Sequence, residues 1–95
     1  MGWVKDGVVY DADGKQIGKI ENEDIFDQKG HKIGKLGKDG TLYNHKGEVI
    51  YTVQTNSSGK HNILDTNGKV VGTTDDHYKN QSSAIHYLHK KKKDK

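Results

Sequence analysis

The sequence predicts an all-β fold: an up-and-down meander of four repeated β-hairpins, followed by a short basic C-terminal helix or tail. Three observations carry this. Four segments repeat one pattern, "VYDADGKQIGKI" at 9–20, "IFDQKGHKIGKL" at 25–36, "LYNHKGEVIYTV" at 42–53 and "ILDTNGKVVGTT" at 63–74. Each holds one turn signal flanked by apolar residues, and the turn glycines Gly14, Gly30, Gly47 and Gly68 recur at spacings of 16, 17 and 21 residues. Periods this short, with a single turn each, are those of hairpins.

The turns come first. "DADG", "DQKG", "NHKG" and "DTNG" suit a type I turn, whose leading Asp or Asn accepts hydrogen bonds from nearby backbone amides. The closing residue falls in the left-handed region, as in a three-residue hairpin loop with a bulge, where glycine carries no steric penalty. The two middle residues vary freely because right-handed helical angles suit most side chains.

The register follows from the turn. With Asp11 opposite Lys15, Tyr10 faces Gln16 and Val9 faces Ile17; the same count pairs Ile25 with Ile33, Leu42 with Ile50 and Ile63 with Val71. These aliphatic pairs form the expected core seam. Tyr10, Phe26, Tyr43 and Leu64 then point to the other face, and three of them lie diagonal to Gly18, Gly34 and Gly72, whose bare backbone they are expected to cover. Between units, "KDG" at 5–7, "GKDG" at 37–40 and "NSSG" at 56–59 are further turns, and "ENED" at 21–24 is a polar connection of less regular type. Eight or nine short strands result.

After Asp76 the pattern stops. The chain divides into a β-hairpin-repeat domain at 1–76 and a segment at 77–95 comprising a polar linker, a short helix and a Lys-rich tail. The helix is expected to start with Ser82 or Ser83 as its N-cap and to place Ala84, Ile85 and Leu88 on one side.

Composition narrows the function classes. Of 95 residues, 29% are hydrophobic and 31% charged, so one thin core is all the chain can build, and oligomerisation offers a way to bury more. Residues 90–95 carry five Lys and one Asp, whereas the other 89 carry 11 Lys against 12 acids, so the net charge of +3 is a property of the tail. Lys90, Lys91, Lys92, Lys93 and Lys95 are the candidates for contact with an anionic polymer or surface. There is no Arg, the residue favoured for bidentate reading of guanine, so sequence-specific nucleic-acid recognition is not expected.

The absence of cysteine removes disulfides and Cys-based zinc sites and fits the cytoplasm. "MGWVKDG" lacks the apolar stretch of a signal peptide, no run has the length of a membrane span, and Asp6 stands where a myristoylation motif needs Ser or Thr. A soluble, unanchored protein is expected.

Catalytic and metal chemistry find little to stand on. The Asp residues of "DADG" do not continue into a calcium loop, since Gly14 follows at once and Asn22 holds the place of the bidentate Glu. There is no nucleophile elbow, phosphate loop or cysteine nucleophile, so no enzyme and no cofactor are expected. His31, His45 and His61 lie in or beside turns, where solvation explains them. His86 and His89 share a helical face, but a two-ligand surface pair makes a weak site.

"VYDADGKQIG", "IFDQKGHKIG" and "ILDTNGKVVG" resemble the four-fold β-flower family, small bacterial proteins built from four hairpins around a pseudo-four-fold axis. The resemblance spans about residues 3–76 and implies a fold, since the family brings no agreed activity. "GWVKDGVVYDADGK" at 2–15 is similar to the opening of a choline-binding cell-wall repeat, which implies an aromatic cage; Trp3, Tyr10, Phe26 and Tyr43 are its candidate members here. The resulting expectation is a non-catalytic bacterial interaction module with a basic tail. Alternatives are a self-assembling structural subunit, and a small metal-binding protein or enzyme using scattered His.

Overall fold

The computed structural model describes residues 2–74 and 81–93, the side chains of Lys92 and Lys93 excepted. Nine strands follow in order: β1 Trp3–Lys5, β2 Val8–Tyr10, β3 Gln16–Glu21, β4 Asp24–Asp27, β5 Lys32–Leu36, β6 Leu42–Asn44, β7 Val49–Thr55, β8 His61–Leu64 and β9 Val70–Thr74; helix α1 covers Ser82–Lys93. Each strand pairs antiparallel with the next, in the spatial order β1 to β9. Strands from both halves of this meander, β3 on one side and β7, β8 and β9 on the other, touch α1. A sheet that meets one helix from both sides has to curl, and here it forms a half-barrel around α1.

The turns hold as their chemistry requires. The Asp11 amide donates to the Lys15 carbonyl at 2.9 Å and the Gly14 amide to the Asp11 carbonyl at 3.0 Å. Meanwhile Asp11 Oδ1 accepts from the amides of Asp13 and Lys15 at 3.0 and 2.9 Å. The same side-chain pattern recurs at Asp27, Asn44, Asn56 and Asp65. The turn at 37–41 keeps the backbone bonds but begins with Gly37, and there Asp39 Oδ1 accepts from the Thr41 amide at 3.1 Å instead. The remaining two connections are two-residue loops. Asp6 and Gly7, with φ of 52° and 81°, form a type I′ turn, and "ENED" resolves into a loop in which Asn22 takes a φ of 57°.

The register differs from the expected one by a residue beyond each turn. Tyr10 faces Gln16, but Val9 faces Gly18, not Ile17; likewise Ile25 faces Gly34, Leu42 faces Tyr51 and Ile63 faces Gly72. A β-bulge in each of the four repeated hairpins inserts one extra residue, and that residue is always aliphatic: Ile17, Ile33, Ile50 and Val71. Without the bulge, Val9 would face Ile17, and Gly18 would point to the outer face. With it, the aliphatic and the residue after it both lie on the inner side, as the burial of Ile17 and Gly18 shows. Val9, Ile25, Leu42 and Ile63 are fully buried, Ile17 is nearly so, and Ile33, Ile50 and Val71 pack against this core.

Gly18 and Gly72 therefore lie under α1 and not under the outer side chains. A Cβ on Gly18 would come within 2.7 Å of both Leu88 methyl groups, and one on Gly72 would come within 3.3 Å of the His86 ring. Bare backbone at these points lets α1 approach the sheet. In the third hairpin the equivalent position is Tyr51, which is buried and meets the His86 ring edge-on at 5.1 Å and the Tyr87 ring at 6.2 Å. One hairpin fills the interior with its own side chain, and others leave room for the helix.

Helix α1 contributes Ala84, Ile85 and Leu88 to the buried hydrophobic core, which has ten members among the described residues. Its first intrahelical bond runs from the Ile85 amide to the Gln81 carbonyl, which makes Gln81 the N-cap in place of the expected Ser82 or Ser83. Both serines are buried, and the Ser83 hydroxyl donates to the Gly40 carbonyl at 2.6 Å, tying the helix start to the β5–β6 turn. His61 is also buried, not solvated, with its Nδ1 2.9 Å from Thr55 Oγ1.

Candidate functional site

The aromatic candidates separate into three places. Trp3 on β1 stacks on Tyr10 of β2, with centroids 5.6 Å apart and planes 23° apart, and its far ring edge covers Gly14. These two residues are cross-strand partners, so the stack follows directly from the hairpin register. Trp3 keeps 38% of its surface exposed. Phe26 on β4 lies under Lys19, whose Nζ is 5.9 Å from the ring centroid. Tyr43 on β6 lines a separate groove of about 480 Å³ with Gly34, Leu36, Asn44 and His45. Among the described residues, ring contacts join Trp3 to Tyr10 and Tyr51 to His86 and Tyr87, and none brings Phe26 or Tyr43 to the first pair.

The basic candidates lie on the C-terminal turns of α1. Lys90 and Lys91 are exposed, and Lys91 Nζ sits 5.3 Å from the Tyr87 ring centroid. The backbone of Lys92 and Lys93 continues the helix, and Lys95 lies outside the described residues. Since Leu88 is buried within the same helical stretch, these lysines are mounted on the core rather than on a separate strand of chain.

Beside them is a groove that sequence reasoning missed, about 230 Å³ in volume, between the β4–β5 turn and α1. Its floor is Ile17, Ile33 and Leu88; its rim is Lys29, His31 and Lys91, with Asp27 at the turn. The signal for it was Lys29 and His31 in "DQKGH", but their approach to Lys91 depends on the docking of Leu88 against Gly18. Asp27 is occupied within its own turn. Its Oδ1 accepts two amides, and its Oδ2 is 3.5 Å from His31 Nδ1. Slight burial pulls its pKa upward, but the hydrogen bonds from His31 and Lys29 outweigh this and hold it below the ordinary value.

Ion pairs distinguish the lysines. Lys19 pairs with Glu21 at 2.9 Å, Lys32 with Asp24 at 3.0 Å and Lys35 with Glu23 at 3.9 Å. Among the described residues, Lys29, Lys90 and Lys91 have no carboxylate within ion-pair distance. The His86 ring packs on Tyr51, while His89 Nδ1 is 2.9 Å from the Ile85 carbonyl oxygen. No group of three or more His, Asp or Glu side chains converges among the described residues.

Four hairpins with one turn chemistry and one bulge each now stand beside a direct comparison: the profile of the 4-fold beta flower proteins matches residues 1–62. The chain belongs to that family. Within this β-flower, the matched region ends inside β8, so the fourth hairpin and α1 lie largely beyond it. No curated protein and no solved structure matches the chain. Among the described residues, no helix is long and apolar enough to cross a membrane.

Proposed function

We propose that this β-flower is a non-catalytic bacterial interaction module, acting in the cytoplasm, whose lysine-bearing helix end attracts anionic polymers or surfaces. One observation carries the reading. Helix α1 runs unbroken from the buried Ala84, Ile85 and Leu88 to Lys93, so its lysines form a charge cluster held at one place on a folded body. The carboxyl end of a helix carries about half a negative charge, which several lysines more than offset. Each lysine near an anionic membrane contributes roughly 1 kcal/mol, and about four neutralised phosphates on DNA give a log–log salt slope near −4. The cysteine-free composition is one that a reducing compartment favours.

The test compares the full chain with a version ending at His89 in salt titrations against DNA and anionic vesicles. Loss of binding with the lysines supports the reading; equal binding by both versions, or none by either at low salt, overturns it.

A second reading, self-assembly, is favoured by the sheet's outer strands. Among the described residues, β1 and β9 each have one neighbour in the strand order, and Val70 on β9 is 46% exposed. An unpaired edge is a template for another chain. Light scattering decides it, since an assembly subunit is oligomeric without any ligand.

A further inference from the structure

The groove between the β4–β5 turn and α1 joins an aliphatic floor to two lysines, Lys29 and Lys91, that have no acidic partner among the described residues. Ile17 and Leu88 close its base, and Ile33 is half-buried along it. Lys29, from the β4–β5 turn, and Lys91, from α1, both line it, together with His31. The larger groove at Tyr43 also has lysines, Lys32 and Lys35, but Asp24 and Glu23 already neutralise them.

Size and shape choose the occupant. Pockets for small organic ligands hold roughly 300–1,000 Å³, and this one, at about 230 Å³, is smaller. It has room for one large side chain. A concave site admits an anchor that projects from a partner, which a flat lipid surface does not supply. The rim supplies charge complementarity: Lys29 and Lys91 lack ion pairs, and the Asp27 carboxylate is turned into its own loop by the Lys29 and His31 amides.

We propose that this groove receives one apolar side chain of an acidic peptide segment in a partner protein, with Lys29 and Lys91 pairing with carboxylates on either side of the anchor. The inference rests on the reading that the helix-end lysines recognise anions, and it adds a peptide as the partner class and an anchor position as the source of selectivity. Buried anchors flanked by charge are how small interfaces gain most of their affinity.

The test uses the full chain and two synthetic acidic peptides, identical runs of Asp and Glu with a central Leu in one and a central Ser in the other. Fluorescence anisotropy at low salt is expected to show the Leu peptide binding about tenfold more tightly or better, the worth of burying one such side chain. Gln28→Trp, which fills the groove and keeps every lysine, is expected to erase that preference; K29E is expected to weaken both peptides. Thermal melts show whether either variant is folded, and K29E, at an exposed turn position, serves if Q28W is not. Equal affinity for the two peptides overturns the groove assignment and leaves the lysine reading standing. Binding to DNA or anionic vesicles with neither peptide bound overturns the peptide assignment alone. Failure of all four probes overturns both.

Discussion

Leu88 occupies the space that a side chain at Gly18 would need: both of its methyl carbons lie 2.7 Å from where a Cβ would stand. The Phe26 carbonyl oxygen is as near, at 2.6 Å, and backbone cannot step aside as a flexible side chain can. Gly18→Ala is therefore expected to cost about 1–3 kcal/mol through overpacking, and Leu88→Ala about 2–5 kcal/mol through the cavity left. The two residues share one contact, so the double variant should be less unstable than the sum of the singles. Chemical denaturation of the four proteins measures this; strict additivity would show that the helix is seated elsewhere.

Gly68 offers a contrast, since its neighbourhood is open but its φ is +80°. Gly68→Ala is expected to cost only the left-handed strain, about 1–2 kcal/mol. In the same turn, Asp65 Oδ1 accepts the amides of Asn67 and Lys69 at 2.9 Å each. Asp65→Asn keeps that acceptor, as Asn44 and Asn56 do in their own turns, and should change stability by less than about 0.5 kcal/mol. Asp65→Ala should cost about 1–2 kcal/mol. An Asn variant as unstable as the Ala variant would mean that charge, not acceptor geometry, holds the turn.

Acid should loosen two turns. The pKa of Asp27 and that of Asp39 both lie below the ordinary 3.8, the first through the bonds from His31 and Lys29, the second through the Thr41 amide. For a carboxylate depressed in the folded state, the stabilisation is full above the unfolded pKa and is lost as pH falls through the folded one. Melting temperature is thus expected to hold steady above about pH 5 and to drop below about pH 4. D27N with D39N should flatten that drop, because Asn keeps the acceptor oxygen and does not titrate. A drop of undiminished slope would assign acid sensitivity to other carboxylates.

Removal of α1 should be far more damaging than removal of its lysines. A chain ending at Gln81 loses Ala84, Ile85 and Leu88 from the core and is expected to lose cooperative unfolding by circular dichroism. A chain ending at His89 keeps all three and should melt within a few degrees of the full chain. Cooperative unfolding of the shorter version would show that the sheet closes a core unaided.

The turns were legible in the sequence because their chemistry is local: an Asx side chain and a left-handed glycine act within five residues. The bulges were not, because nothing in "KQIGK" alone says whether Ile17 or Gly18 faces Val9. That choice is made by α1, distant in sequence, which needs bare backbone at Gly18 and Gly72. Had the aliphatic–glycine pairs been read together with the apolar helix, the bulge was the arrangement that satisfied both. The basic end was visible as composition. Its neighbours Lys29 and His31 were not, since they reach Lys91 only after the helix has docked.

The continuity of α1 also gives the molecule a mechanical property. A charged tail on slack chain absorbs a pull by straightening, whereas Lys90 and Lys91 have no slack between themselves and Leu88. Tension applied by whatever grips the lysines passes straight into the packing against Gly18 that keeps the helix between the hairpins. A strong enough tug on the charge would uncork the half-barrel.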